Sequence, residues 1–212
     1  MEQVSNLLFW ISSGLLVPVI VGLLFFFIKS IIMFGGFISQ YIQRIRQDKQ
    51  LRIRMNQLNK ENVLAFAKEL DEQQESMFTT TAKELLTSES TAVCNRILSE
   101  YEIAADTELG KFKLLIKFGP ILGLMGTLIP MGPALAGLST GDIASMAYNM
   151  QVAFATTVLG LFSGAIGFVL LQAKQRWFNT DLVYLDYLFA LRQEKEAGNG
   201  TELSNNSKNV NE

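Results

Sequence analysis

Three threonine hydroxyls lie in otherwise apolar surroundings in the second half of the chain, at Thr127, Thr156 and Thr157. A hydroxyl donates one hydrogen bond and accepts two, so it can orient water or solvate a carboxyl group. Alternatively, each hydroxyl bonds the backbone carbonyl one turn back and only packs against a neighbouring helix. The residue type leaves both roles open, and ion chemistry at these positions would need a carboxylate supplied by another molecule.

The composition argues against catalysis by the chain itself. The sequence contains no histidine and a single cysteine, Cys94, and it lacks a G-x-x-x-x-G-K-[ST] phosphate-binding loop. Serine–histidine, cysteine–histidine and histidine–metal chemistry are therefore excluded. We predict no enzyme activity, no cofactor and no metal site. A net charge of −2 gives no basis for a nucleic-acid surface.

One long apolar run shows which elements hold the threonines. Between Lys117 and Lys174 lie 56 residues whose only charged side chain is Asp142. A single helix of that length would reach roughly 84 Å, whereas the core of a bilayer is about 30 Å thick. The run must therefore fold back. The polar cluster from Ser139 to Asp142, near its middle, predicts a turn between two membrane helices.

Another apolar run lies at the N-terminus. Residues 3–28 carry no charge, and residues 7–28 are about long enough to cross a bilayer. A cleaved signal peptide fits poorly, because it would carry Lys or Arg before a shorter apolar run. The chain is therefore predicted to cross the membrane three times.

The basic residues indicate the orientation. All 18 Lys and Arg lie in 29–117 and 174–208. Under the positive-inside bias, the long loop after the first span and the C-terminal tail are cytoplasmic, so the N-terminus and the 139–142 turn are outside. We therefore predict a multi-pass protein of the cytoplasmic (inner) membrane.

The cytoplasmic segments show helical periodicity. Their apolar residues recur three and four positions apart, as on amphipathic helices that pack on each other or on neighbouring subunits. A regulatory docking surface is the other use open to these stripes. The stripe residues are Phe78, Ala82, Leu85, Val93, Ile97, Tyr101 and Ala104 in the first region, and Phe178, Leu182, Leu185 and Phe189 in the second.

These patterns predict an all-α membrane protein with three transmembrane helices and long cytoplasmic helical extensions. The polar segment that begins at Gly198 is predicted to be disordered. The predicted segments are an outer N-terminus (1–6), a first span (7–28), a cytoplasmic helical region (29–112), a second span (113–138), an outer turn (139–142), a third span (143–173), a cytoplasmic helical extension (174–197) and the tail (198–212).

Small residues and prolines mark the second and third spans. Gly123 and Gly126 form a small-residue face on the second span, and small residues recur on the third span, so another backbone can approach closely. Prolines in the second span remove backbone donors and displace nearby carbonyls. The residues assigned to packing and kinking are Pro120, Gly123, Gly126, Pro130, Pro133, Gly160 and Gly164.

Two segments resemble the MotA/TolQ/ExbB proton-channel family. The run Pro120-Ile-Leu-Gly-Leu-Met-Gly-Thr127 is similar to the family's P-x-L-G-L-L-G-T segment, and Ala153-Phe-Ala-Thr-Thr-Val-Leu-Gly-Leu161 resembles its A-L-x-x-T-A-x-G-L segment. The three spans and the long loop are similar to the ExbB and TolQ branch. Val152 stands where that branch has a Glu, which leaves the transported ion open between proton and sodium.

The resemblance implies a motor mechanism. Members form a ring, usually a pentamer, around single-span partners that carry an ion-binding aspartate near the start of the span. Thr127 and Thr157 correspond to the family's two pore threonines, and Thr156, next to Thr157, is predicted to line the ion pathway with them. Ion flow down the membrane potential would then drive mechanical work through the partner. The spans hold no carboxylate in the membrane interior, so a proton relay would be incomplete without that partner.

Two rival functions and one residue role stay open. A non-conducting scaffold or assembly factor would explain the glycine spacing but not the paired threonine motifs. An enzyme of lipid metabolism would need acidic residues or a histidine at the membrane interface. Asp142 alone is too little for that chemistry. Asp142 is expected to cap the third span, and a role at the outer mouth of a channel is the alternative.

Overall fold

The computed structural model describes residues 2–58, 62–63, 66, 76–88 and 90–209 of the 212-residue chain. This part of the chain contains helices and no strand, which confirms the predicted all-α class. The elements are α1 (Glu2–Gln57), α2 (Met77–Thr87), α3 (Thr91–Ser139) and α4 (Ile143–Asn209).

Three helical stretches in the described residues are long and apolar enough to cross a membrane, as predicted. They are Leu7–Ile45 in α1, Thr91–Ser139 in α3 and Ile143–Lys195 in α4. The predicted segment ends near residues 28, 112 and 173 fall inside continuous helices, so those ends stay predictions. Helix α4 also covers most of the segment for which the sequence predicts disorder, while residues 210–212 lie outside the described part. A solvated helix with few apolar residues is only marginally stable, so disorder of this segment in solution stays a prediction.

The turn between α3 and α4 is set by one glycine. Gly141 has φ +77°, a left-handed conformation that costs glycine little. The N–H of Asp142 bonds the carbonyl of Gly137 at 2.8 Å, and the N–H of Gly141 bonds that of Leu138 at 3.2 Å. This pair of bonds is the Schellman arrangement, which satisfies the last carbonyls of α3 and lets α4 start at once.

The chain divides into two compact units. Unit 1 comprises Met1–Tyr41 and Leu109–Ala173, and unit 2 comprises Ile42–Glu108 and Lys174–Glu212. Unit 1 therefore holds most of the apolar sequence and all three threonines of interest. Unit 2 holds most of the charged residues and the amphipathic stripes.

Unit 2 has a hydrophobic core built from four elements. Its fully buried members include Leu85 of α2, Cys94 of α3, and Leu185 and Leu188 of α4. Ser76 starts α2 with a capping box, in which its hydroxyl accepts from the N–H of Thr79. The stripe predictions are confirmed at most positions, but Val93 and Ala104 are exposed while the adjacent Cys94 and Ala105 are buried.

A buried polar cluster crosses the core of unit 2. The guanidinium of Arg44 donates to Oδ1 of Asp181, and the hydroxyl of Tyr101 donates to Oδ2 of the same carboxylate at 3.2 Å. Asp181 is 4% exposed. Burial, together with the negative charge of Asp181, raises the pKa of Tyr101, so the phenol stays neutral. One carboxylate thus links α1, α3 and α4.

We expect Asp181→Ala to destabilise unit 2 by about 3–5 kcal/mol, because it removes the carboxylate that a buried guanidinium and a phenol share. Tyr101→Phe should cost about 1 kcal/mol, since it removes one hydrogen bond and no charge. Thermal unfolding of the detergent-solubilised protein measures both effects. Asp186→Ala, at an exposed position on the same helix, is the matched control and should change stability by at most about 0.5 kcal/mol. Equal stability of the Asp181 and Asp186 variants would contradict the prediction.

Candidate functional site

Glycines bring the backbones of α3 and α4 into direct contact. A Cβ added at Gly160 would lie 2.5 Å from the carbonyl oxygen of Gly119 and 2.8 Å from the Cα of Gly123. A Cβ added at Gly119 would lie 2.8 Å from the carbonyl oxygen of Gly160. No larger residue fits at these positions unless the helices separate. Packing of this kind holds helices together in lipid, where apolar burial contributes little attraction between them.

Thr156 lies inside this helix contact. It is 5% exposed, and a Cβ added at Gly126 would lie 2.7 Å from both its Cβ and its Oγ1. The hydroxyl donates to a carbonyl of its own helix, that of Ala153 at 2.9 Å or that of Val152 at 3.1 Å. Thr156 therefore packs between two helices of one protomer.

Helix α1 packs on one side of the α3–α4 pair. The ring of Phe26 stacks on Phe118 of α3 with centroids 5.8 Å apart, and Phe27 meets Phe162 of α4 at 6.0 Å. A Cβ added at Gly22 would lie 3.5 Å from Cδ1 of Leu122, on the same side of α3. These contacts define the α1-facing side of the pair.

Thr127 and Thr157 lie away from α1. A helix turns about 100° per residue. Thr127 is nine residues from Phe118 and so lies on the opposite face of α3, while Thr157 is five residues from Phe162, about 140° around α4. Both side chains are partly exposed, unlike that of Thr156. The helices α3 and α4 are joined by a tight turn and run in opposite directions. These rotations therefore place Thr127 and Thr157 on the same edge of the pair, which we call the threonine edge.

The hydrogen bonds of these two hydroxyls leave their acceptor sites available. The hydroxyl of Thr127 donates to the carbonyl of Leu124 at 2.7 Å, and that of Thr157 donates to the carbonyl of Ala153 at 3.1 Å. A hydroxyl has one proton to donate and two lone pairs that accept. Each threonine can therefore accept a hydrogen bond from water or from a protonated carboxyl group without breaking its own helix bond.

The prolines of α3 shape the backbone beside Thr127. Pro130 is fully buried and has no N–H, so the carbonyl of Gly126 loses its usual helical donor. Pro133 does the same for the carbonyl of Ile129. Pro120 packs on α4, where a Cβ added at Gly164 would lie 3.0 Å from the proline ring. The prolines thus pack between helices and also leave backbone carbonyls of α3 without their usual helical hydrogen bonds.

Asp142 lies at the start of α4, in cap geometry. Its Oδ1 accepts from the N–H of Ser145 at 3.0 Å, and its carbonyl accepts from the N–H of Met146 at 3.2 Å. A carboxylate at this position also interacts favourably with the positive end of the helix dipole. The side chain is exposed, so it stays accessible to ions as well.

The structure separates the predicted threonines and the residues packed around them into two groups, while Pro130 and Pro133 lie in α3 and Asp142 lies at the start of α4. The glycines, Pro120 and Thr156 meet in the α3–α4 contact, whereas Thr127 and Thr157 lie at its edge. Sequence reasoning missed Gly119 and Ser163, which belong to the same contact and are buried. The position of Gly119, four residues before Gly123, was the signal that could have revealed it.

Comparison with known proteins identifies one family. The sequence matches the MotA/TolQ/ExbB proton channel family over residues 65–184, which is more than half of the chain. This range includes α2, all of α3 with Thr127, and the part of α4 that carries Thr156 and Thr157. No curated protein and no solved structure matches the chain.

We expect Gly160→Val to disrupt the α3–α4 contact, because the added atoms would meet backbone atoms of Gly119 and Gly123 that cannot rotate away. Forcing extra atoms into a tight contact costs about 1–3 kcal/mol or more. The unfolding temperature in detergent should fall. Gly14→Val is the matched control in a membrane helix, since a Cβ at Gly14 meets nothing within 4 Å. Equal losses in the two variants would show that the close contact is not stabilising.

Proposed function

Because this chain belongs to the MotA/TolQ/ExbB proton channel family and is a multi-pass membrane protein, we propose that it is the channel subunit of an inner-membrane motor. In this proposal, protons or sodium ions flow down the membrane potential and drive mechanical work through a partner. The partner is a single-span membrane protein whose helix carries an ion-binding aspartate near its start. The N-terminus and the 139–142 turn lie outside, and the charged segments lie in the cytoplasm.

The observation that carries the proposal is the placement of Thr127 and Thr157. Both lie on one edge of the α3–α4 pair, on the side away from α1, and each keeps acceptor lone pairs available. The only charged residue of the chain between Lys117 and Lys174 is Asp142, in the turn. The ion-binding carboxylate must therefore come from outside this chain.

The two threonine hydroxyls would affect the protonation state of the partner's aspartate. A protonated carboxyl group can donate to the available lone pair of Thr157 or Thr127, whereas an ionised carboxylate only accepts. Hydrogen bonds to the neutral form favour that form, so the threonines stabilise the protonated aspartate at their depth. Release of the proton then requires the carboxylate to move toward water. Binding and release at different positions would couple ion flow to movement.

The same geometry supports a ring. We propose a homo-pentamer in which α3 and α4 line a central hole and α1 faces lipid. The α1-facing side of the pair is occupied by phenylalanine contacts, which leaves the threonine edge to face the partner. In a five-fold ring the threonine edges of the five copies would surround the partner's helices.

The competing scaffold function explains fewer of the observations. In that view the glycine faces exist to build an oligomer. The glycines of α3 and α4 instead meet each other inside one protomer, where they set the helix contact. Subunit association must therefore use other surfaces, and a scaffold function gives no role to the two partly exposed threonines at the edge of the pair.

We expect Thr157→Val to reduce ion flux by roughly tenfold to hundredfold while the complex still assembles, since valine keeps the shape and loses the hydroxyl. Thr157→Ser should keep part of the flux because it retains the hydroxyl. Thr156→Val is the matched control at the adjacent position and should have a smaller effect. The measurement is proton or sodium flux into vesicles that hold the chain with its partner. Unaltered flux in a Thr127→Val, Thr157→Val double variant would overturn the pore assignment.

We expect native mass spectrometry of the mildly solubilised protein to show five copies of the chain. The reason is the proposed ring, in which five α3–α4 pairs enclose the partner's helices. Imaging of the same particles should show a central hole lined by α3 and α4. A monomer under conditions that preserve the fold, or a ring with α1 at its centre, would contradict the proposed arrangement.

A further inference from the structure

Unit 2 contains a cavity of about 260 Å³ that the proposed ion pathway does not use. Its walls come from α1, α2, α3 and α4, and they include Tyr101, Trp177 and Phe178 as aromatic surfaces. A water molecule occupies about 30 Å³ in the liquid, so the space is large enough for a polar group with several non-hydrogen atoms.

Lys174 supplies a positive charge to this cavity. Its side chain is only 16% exposed, and its nearest carboxylate oxygen, Oε2 of Glu108, is 3.7 Å from Nζ, beyond hydrogen-bond distance. The ammonium lies over the rings of Trp177 and Phe178, 5.6 and 5.9 Å from their centroids. Ring faces attract a cation but satisfy its three N–H donors poorly. A largely buried ammonium with this environment favours an additional acceptor in the cavity.

Two other charged residues that line the cavity, Arg44 and Asp181, form an ion pair with each other. Tyr101 donates a hydrogen bond to the same carboxylate. Glu108 is 45% exposed and can turn toward solvent. Its departure would leave Lys174 as a net positive site beside aromatic walls. The first residues of α2, Met77 and Phe78, line the same cavity and place the positive end of that helix there.

The position of Lys174 in the sequence indicates the depth of the cavity. Lys174 is the first charged residue after the apolar run of the third span, and Trp177 follows it within one turn. Lysine and tryptophan at the end of a span are typical of the level of the lipid head groups. The groups that meet a protein at this level and carry negative charge are lipid phosphates.

We propose that this cavity binds the phosphate head group of an anionic phospholipid, with Lys174 as the charged contact and Trp177 and Phe178 as the apolar walls. Binding replaces the long Lys174–Glu108 pair with a closer charged contact. It does not depend on the proposed ion pathway, because none of the cavity residues belongs to the threonine edge.

Trp177 provides the signal for a test. The chain has two tryptophans, so Trp10→Phe leaves Trp177 as the only one. We titrate this protein in detergent micelles with phosphatidylglycerol brominated on its acyl chains, and separately with brominated phosphatidylcholine. Phosphatidylglycerol should quench Trp177 at a lipid fraction about threefold to fivefold lower, the effect expected of one partly exposed ion pair.

Matched variants separate the charge from general lipid binding. Lys174→Gln should bring the phosphatidylglycerol curve onto the phosphatidylcholine curve, and Lys174→Arg, which keeps the charge, should preserve the difference. Lys117→Gln removes an exposed lysine near the end of the second span and should change neither curve. Circular dichroism verifies that each variant remains folded.

Three results would overturn the proposal. The first is equal quenching by the two lipids in the Trp10→Phe protein. The second is an unchanged phosphatidylglycerol preference in Lys174→Gln. The third is release of phosphatidylglycerol by inorganic phosphate beyond the effect of chloride at equal ionic strength, which would assign the cavity to a soluble phosphate instead of a lipid.

Discussion

The contact between Gly160 and Gly119 is the constraint on which the rest of the membrane unit depends. Backbone atoms meet there without side chains between them, so the separation of α3 and α4 is fixed by the backbones themselves. Thr156 then fits against Gly126 and sets the rotation of the two helices. Once rotation and separation are fixed, Thr127 and Thr157 can only lie at the edge of the pair. The proposed ion pathway, built from weak hydroxyl contacts, would need this rigidity, because a misplacement of about 1 Å is costly.

The two units carry different polar groups. Unit 2 holds most of the charged residues, whereas the spans of unit 1 carry hydroxyls, and this distribution is consistent with a channel subunit. Unit 2 pairs two of its charges, those of Arg44 and Asp181, with each other, and this pair links α1 to α4. Unit 1 presents hydroxyls and has no acidic side chain in its spans, since Asp142 lies in the turn as a helix cap. A fixed carboxylate inside the membrane would trap a cation, whereas hydroxyls interact with an acid only while it is nearby. The division therefore favours a carboxylate that moves.

The fold class and the three spans could be predicted from the sequence, because the length of an uncharged run limits how it can fit a bilayer. The different orientations of Thr156 and Thr157 could not be predicted from the sequence. The two residues are adjacent and of the same type, and only the contact of Thr156 with Gly126, on another helix, distinguishes them. Val93 was placed one residue away from the buried face because α2 ends at Thr87 and α3 begins at Thr91, which restarts the helical register. Ala104 follows Tyr101 within α3, where spacings of three and of four residues both fit a helix, so the pattern did not distinguish it from Ala105. The Arg44–Asp181 pair spans 137 positions, and no local pattern indicates it.

The apolar neighbours of the two threonines explain why ion flow would need the partner. One turn to either side of Thr127 are Leu124 and Met131, and one turn to either side of Thr157 are Phe154 and Leu161, all exposed on the protomer. In the proposed ring these side chains would form apolar bands above and below a narrow polar level. A bare cation crossing such bands would lose its hydration without compensation. A neutral, protonated carboxyl group crosses at a far lower cost, so in the proposed mechanism a proton would pass only when the partner's aspartate carried it, and passage would then require movement.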